Sequence, residues 1–302
     1  MLLSFVWLSA IDITPAKYLE VALETIELNS IHRGHINWDL FRTKYLAEAA
    51  DAKSVEETYP IISRALKEVD RHSFFMKPQF VKQAFHSPGR VPAIKHELLG
   101  NAVAYISIPS FSGDSARAQL FVAAIHEAII NLDEANLQGW IIDLRGNGGG
   151  NMWPMLAGLS PLLSKDTIGY FEKVDGVLNA WINRSDGIYL NDELVQPVNK
   201  TIVLNNQSRP IGVIVGPKTA SSGEAVAIAF KGQEEVRFFG DRTRGLSTAN
   251  KGFELQDGAM MFITTARFVD RLGVSYGKQL LPDYYTESPI TEIRVAFNKG
   301  DR

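Results

Sequence analysis

Apolar residues follow two different periods along this chain. In the first third they recur at helical spacing. Leu19, Ala22, Leu23 and Ile26 stand at i, i+3, i+4 and i+7, and Thr14-Pro15 just before them gives an N-cap followed by proline at the first helical position. A second helix is predicted from Asp39 through Phe41 and Tyr45 to Ala49. The run SVEE, Ser54 to Glu57, has the spacing of a capping box, and Tyr59, Ile62, Leu66 and Val69 carry a third helical face whose start Pro60 shifts later.

After FHSPGRVP the pattern changes. NAVAYISIPSF reads as a strand, Ser115 to Leu132 as a helix with Phe121, Ile125, Ala128 and Leu132 on one face, and GWIIDLRG as a more apolar strand. Strand, helix, strand is a βαβ unit, which implies a parallel pair with a right-handed crossover. RPIGVIVG is a third buried strand, followed by the helix-like SGEAVAIAFKG and the short VRFFG. KGFELQDGAMMFITTARF reads as a hairpin turning at Gln256-Asp257-Gly258. The expected organisation is a small helical N-terminal domain, residues 1–85, and a larger α/β domain, residues 86–302.

Length and composition fit this division. The chain has 302 residues, 45% of them hydrophobic and 22% charged, ordinary values for a globular protein. Its 31 basic and 34 acidic residues give a net charge of -3, so no electrostatic footprint for nucleic acid is present. The absence of cysteine removes disulfides, thiolate metal sites and cysteine nucleophiles. The N-terminal run MLLSFVWLSA is far shorter than the ~20 apolar residues of a membrane span and lacks the basic region of a signal peptide.

Three places carry candidate chemistry. Gly146-Asn147-Gly148-Gly149-Gly150-Asn151 follows a strand, yet it departs from the dinucleotide pattern, with Asn at the third glycine position, and from the phosphate loop, with no Gly-Lys-Ser/Thr. VGPKTASSGEAV places Ser221 and Ser222 between a buried strand and a helix, where a serine serves either as an N-cap or as a hydroxyl facing a cleft. DRHSFF, Asp70 to Phe75, sets His72 at the end of the helical region. His32 and His35 have i, i+3 spacing but no third ligand, so neither a metal nor another cofactor is expected. Together the three places suggest a serine nucleophile, Ser221, a histidine base, His72, and an oxyanion loop at Gly148-Gly149-Gly150.

The motifs IIDLRGNGGG, KTASSGEA, FFGDRTRGLS and YGKQLLPD, in this order, resemble the S41 serine peptidases, the C-terminal-processing and tail-specific protease family. DRHSFF is similar to the D-x-H-S motif of the branch that includes the tricorn core protease and the interphotoreceptor retinoid-binding protein. The resemblance spans roughly residues 15 to 285. It implies a ClpP/crotonase-like β-α superhelical core and the nucleophile at Ser221. It further implies Glu224 as the family's downstream glutamate, and an oxyanion hole from Ser222 and Gly149 or Gly150. The implied activity is hydrolysis of a peptide or ester substrate without cofactor or metal. The retinoid-binding relatives add a non-catalytic carrier of apolar ligands as a contrasting class.

The sequence departs from the processing proteases in two respects and from the tricorn-like branch in a third. Leu246 stands where their general-base lysine follows G-x-x-T-x-G, so the resemblance favours His72 as base. Between Phe75 and Asn101 there is room for little more than a strand and loops, not for a PDZ module. The final segment Tyr276 to Asp283 lacks the tricorn-type glutamate, which leaves Asp70, Glu224 and Asp283 as candidates for orienting His72. Asn250 is a further candidate donor in the cleft, and Asp143 and Arg145 are expected to pair below the glycine loop. With an ordinary imidazole, activity should rise with pH through ~6.5.

Overall fold

A computed structural model describes residues 13–86, 90–100, 102–206 and 208–299. The apolar N-terminal run lies outside these residues. The helices are α1 (Pro15–Asn29), α2 (Trp38–Glu48), α3 (Tyr59–Val69), α4 (Pro78–His86), α5 (Ser115–Leu132), α6 (Met152–Gly158), α7 (Ser222–Phe230) and α8 (Pro289–Lys299). The strands are β1 (Phe74–Met76), β2 (Lys95–Leu99), β3 (Val103–Ser107), β4 (Gly139–Asp143), β5 (Asp166–Lys173), β6 (Leu178–Arg184), β7 (Gly187–Leu190), β8 (Glu193–Pro197), β9 (Ile211–Val215), β10 (Val236–Gly240), β11 (Thr248–Glu254), β12 (Met260–Val269) and β13 (Tyr284–Tyr285). The chain forms two compact units: residues up to Val81 together with Asn250–Thr264, and Lys82–Ala249 together with Thr265–Arg302.

In the first unit the helical periodicity becomes a core. The Thr14 hydroxyl accepts the Lys17 N–H at 3.3 Å and opens α1, whose Leu19, Ala22, Leu23 and Ile26 are fully buried. The leucine and isoleucine side chains each contribute about 1.5–3 kcal/mol by leaving water. The capping box expected at Ser54 does not form. A 3-10 turn, Val55–Thr58, starts there without a side-chain cap, and the Glu57 carboxylate accepts the Lys53 N–H at 2.9 Å instead. Pro60 sits in the first turn of α3, where its missing N–H costs no helical hydrogen bond.

The expected boundary at residue 85 differs from the observed division in two respects: the first stretch ends at Val81, and the hairpin belongs with it. Leu255, Ala259, Met261 and Ile263 are buried in the helical core of the first unit. At the hairpin tip the Asp257 carboxylate accepts the Tyr18 hydroxyl at 2.7 Å, the Ala259 N–H at 3.0 Å and the Tyr59 hydroxyl. Phe74–Met76 pairs antiparallel with Met260–Phe262. The segment after Phe75 holds more than the strand and loops expected, since α4 occupies Pro78–His86.

The second unit is built on a six-stranded sheet in the order β13-β10-β9-β4-β3-β2. β3, β4, β9, β10 and β13 run parallel and β2 antiparallel. Successive residues of β4 face opposite layers: Trp140 and Ile142 join the core that α5, α6 and α7 complete, while Ile141 joins Val103, Ile214, Phe239 and Ile293 of α8. This two-sided burial explains why the parallel strands read as continuous apolar runs. Beside this sheet, β5, β6, β7 and β8 form an antiparallel meander, with Ala266–Val269 of β12 paired to β5. Among the described residues no helix is long and apolar enough to cross a membrane.

Candidate active site

Three adjacent parallel strands deliver the site of the second unit. Asp143 of β4 is in register with Ile214 of β9, and Val215 of β9 with Gly240 of β10. The loops after β4, β9 and β10 therefore leave the same end of the sheet. These are the glycine loop, the Ser221 loop and the G-x-x-T-x-G loop.

Ser221 stands between β9 and α7 with φ +52° and ψ −118°, a conformation that costs a non-glycine residue of order 1–3 kcal/mol. Ser221 is the N-cap of α7, its side chain accepting the Glu224 N–H and the Glu224 carboxylate accepting the Ser221 N–H, and a strained strand-to-helix turn of this kind is also the setting of nucleophile elbows. In the first turn of the helix behind it the Gly223 N–H donates to the Ala220 carbonyl at 2.9 Å, while Ser222, as first helical residue, has no intrahelical acceptor.

The glycine loop meets this serine. Gly149 and Gly150 have φ of +115° and +117°, which L side chains rarely adopt. A Cβ at Gly149 would lie 2.9 Å from Ser221 Cβ and 3.4 Å from its Oγ, so bare backbone faces the hydroxyl. A Cβ at Gly150 would lie 2.0 Å from the Phe111 carbonyl oxygen. The Gly149 N–H donates to Asn147 Oδ1 at 3.1 Å, so this donor is already engaged within the loop. The Ser222 hydroxyl donates to the Gly150 carbonyl at 2.6 Å and ties the two remaining oxyanion candidates together. Asn147 and Ser110, not singled out from the sequence, organise the loop. The Asn147 carbonyl accepts the Ala220 N–H at 3.0 Å, and Ser110 Oγ accepts the Gly148 N–H at 2.8 Å.

Glu224 is fully buried. One carboxylate oxygen accepts the Ser221 N–H at 3.0 Å and the Leu246 N–H at 2.7 Å; the other accepts the Thr243 hydroxyl at 2.5 Å and the Gly245 N–H at 2.9 Å. Burial raises its pKa above the usual carboxylate range, opposed by these four donors. With four donors on two oxygens, Glu224 is a brace between the Ser221 turn and the loop after β10. Leu246 contributes its main-chain N–H to that brace. Replacing Glu224 by Gln is expected to destabilise the fold by about 2–4 kcal/mol, because an amide NH2 then faces buried donors. Denaturant unfolding with an unchanged m-value measures this, and a change below about 0.5 kcal/mol would contradict the brace.

Asp143 and Arg145 pair as expected. The guanidinium donates from Nε and Nη2 at 3.1 and 2.7 Å, and the Tyr105 hydroxyl donates to the same carboxylate at 2.8 Å. Asp283 accepts the Phe238 N–H at 2.7 Å and lies 3.7 Å from Lys231 Nζ, which pins the terminal segment to β10.

In the first unit, Asp70 ends α3 and accepts the His72 main-chain N–H at 2.7 Å. Asn250 was read as a donor in the cleft; its amide donates to the His72 carbonyl at 2.9 Å and so braces the histidine turn. Burial lowers the His72 imidazole from its ordinary 6.5 to about 4, against the raising field of Asp70. The expected titration near 6.5 is therefore corrected: burial disfavours the imidazolium, and His72 stays neutral through the mildly acid range. Burial would raise Asp70 in turn, but donors from His72, Thr264 and His32 outweigh it and hold its pKa below the ordinary value.

Residues 102–286 match the sequence profile of peptidase family S41. The chain belongs to this family. The nisin-resistance protein of Lactococcus lactis subsp. lactis is 30% identical over 284 residues, covering 91% of this chain and 84% of that protein. The carboxy-terminal processing protease CtpA of Bacillus subtilis is 26% identical over 223 residues, 70% of this chain and 42% of that protein. Among solved structures, a lipoprotein from Streptococcus agalactiae aligns over 99% of this chain and 100% of that one, with a TM-score of 0.81 and 27% identity. The photosystem II D1 C-terminal processing protease shares the fold with a TM-score of 0.62 at 16% identity, over 92% of this chain and 94% of that one. The fold is the α/β fold of S41 peptidases, and the chain is a hydrolase of the serine peptidase class.

Proposed function

We propose that the protein hydrolyses peptide bonds with Ser221 as nucleophile and His72 as general base. The observation that carries this reading is the contact between the bare Gly149 backbone and the strained Ser221 turn. It brings a hydroxyl and a glycine loop together at the ends of adjacent strands. Ser221 Oγ attacks the substrate carbonyl carbon while His72 accepts its proton. The developing oxyanion is held by the N–H groups of Gly150 and Ser222, and one such donor contributes about 3 kcal/mol to lowering the barrier. His72 then protonates the leaving amine, and water attacks the acyl-enzyme by the reverse proton path. The exchange of lysine for Leu246 supports His72, because leucine accepts no proton.

A base with its pKa near 4 is ready across neutral pH. The expected profile of kcat/KM is flat from about pH 5.5 to 8 and falls as His72 is protonated at lower pH. An acid limb centred near the ordinary imidazole value would contradict a buried His72 base.

Esters share the same machinery and have better leaving groups. Hydrolysis of a peptide amide should be compared with that of the matching ester, with Ser221→Ala as blank. The relative named for nisin resistance makes nisin the first substrate to offer, with products read by mass spectrometry. Amide cleavage that disappears in the blank is the expected result. Turnover of the ester alone would favour an esterase, and tight uptake of retinol or fatty acid without any turnover would favour a carrier.

A further inference from the structure

The turn that carries His72 is held from both sides. Asp70 Oδ1 accepts the His72 N–H at 2.7 Å and lies 2.8 Å from Thr264 Oγ1, while Asp70 Oδ2 meets His32 Nε2 at 2.9 Å. On the other side, Asn250 Nδ2 donates to the His72 carbonyl at 2.9 Å, and Asn250 Oδ1 lies 2.9 Å from the same Thr264 Oγ1. Thr264 is fully buried. Its N–H donates to Ser73 Oγ at 3.0 Å, and its carbonyl accepts the Ile31 N–H at 2.9 Å. The threonine hydroxyl accepts the Ser73 hydroxyl at 3.2 Å and has one proton to donate to either the Asp70 carboxylate or Asn250 Oδ1. It therefore stands between the group on the amide side of His72 and the group on its carbonyl side, donating to one of them at a time. Residues from four stretches of the first unit, at 31–32, 70–73, 250 and 264, thus converge on one main-chain segment.

We propose that Thr264, with Asp70, Asn250 and His32, forms a positioning network that fixes the His72 main chain and so aims its imidazole. This rests on the reading of His72 as the base. With both peptide groups of His72 clamped, the direction of its Cα–Cβ bond is set, and only the side-chain torsions remain to be ordered. A general base tolerates little displacement, since about 1 Å of misplacement costs up to ~100-fold in rate. The network also fills the place of the missing tricorn-type glutamate. It orients the histidine through its backbone.

The test is the second-order rate of fluorophosphonate labelling at Ser221, measured beside kcat and KM. Thr264→Val is expected to slow labelling and lower kcat about 10- to 100-fold with KM unchanged, and Thr264→Ser, which keeps the hydroxyl, to restore the rate to within about threefold. Tyr59→Phe removes a hydrogen bond at the far tip of the same hairpin and is expected to leave labelling unchanged. A network that merely stabilises the hairpin would make Tyr59→Phe and Thr264→Val behave alike, and that result would overturn the proposal. So would wild-type labelling in Thr264→Val. His32→Ala, at a side chain 34% exposed, keeps the test alive if the buried threonine cannot be changed without unfolding. It is expected to slow labelling several-fold, and a wild-type rate there would also overturn the network. Failure of the underlying reading looks different: His72→Ala itself would then label at the wild-type rate.

Discussion

Ser221→Ala is expected to lower kcat by about 10,000- to 1,000,000-fold while the protein folds normally. The reason is chemical. In the proposed mechanism the substitution removes the atom that forms the acyl bond and leaves the glycine loop and the helix N-terminus in place. The residual rate then comes from binding and the oxyanion donors alone. Folding should be preserved because alanine is no larger than serine; the substitution removes the capping-box bond that the Ser221 side chain accepts from the Glu224 N–H, at a cost of about 1 kcal/mol, and leaves the main-chain bonds of the turn. The Ser221 N–H still donates to Glu224, and its carbonyl still accepts the Ala225 N–H at 3.0 Å. The strain at φ +52° remains in either residue. Steady-state kinetics and thermal unfolding measure the two halves of this expectation. A variant that retains more than about a hundredth of the activity would assign the nucleophile elsewhere.

Gly150→Ala is expected to lower kcat about 100- to 1,000-fold by displacing an oxyanion donor. A methyl group would meet the Phe111 carbonyl oxygen at 2.0 Å and its carbon at 2.8 Å, and both are main-chain atoms that cannot swing aside. The φ of +117° adds strain of its own. The loop must move, and the Gly150 N–H moves with it. Gly216→Ala provides the comparison: its Cβ would meet the Arg145 Cγ at an ordinary 3.5 Å, at a backbone angle open to any residue. That variant should stay within about 1 kcal/mol of wild-type stability and keep its rate. Equal losses at both positions would show that the loop is merely sensitive to added bulk.

Local pattern sufficed where burial is regular. α5 runs over Ser115–Leu132, as the spacing of Phe121, Ile125, Ala128 and Leu132 predicts, and β4 and β9 follow their apolar runs. The meander β5–β8 left no such trace, because its strands alternate weakly and bury few residues fully; β8 buries only Gln196. The hairpin turn at Asp257 was legible, but its membership of the first unit depends on Tyr18 and Tyr59, roughly 200 residues away in sequence, and no local rule reaches that far.

The candidate site divides in the same way. Ser221 and the glycines announce themselves by residue type and by the cost of placing glycine after a strand. The partners of Glu224 are not legible, since three of its four donors come from Thr243, Gly245 and Leu246, in the loop after the next strand. Thr264 and His32 carry no motif at all; only the fold brings them to Asp70. The low pKa of His72 arises from burial, which a sequence does not display.

The most direct test of the central claim is fluorophosphonate labelling read by intact mass and peptide mapping, on wild type and His72→Ala. The account predicts one adduct, on Ser221, formed rapidly in the wild type and slowed at least about 1,000-fold without the imidazole. An adduct on another serine, or labelling of Ser221 at the same rate in both proteins, would contradict it.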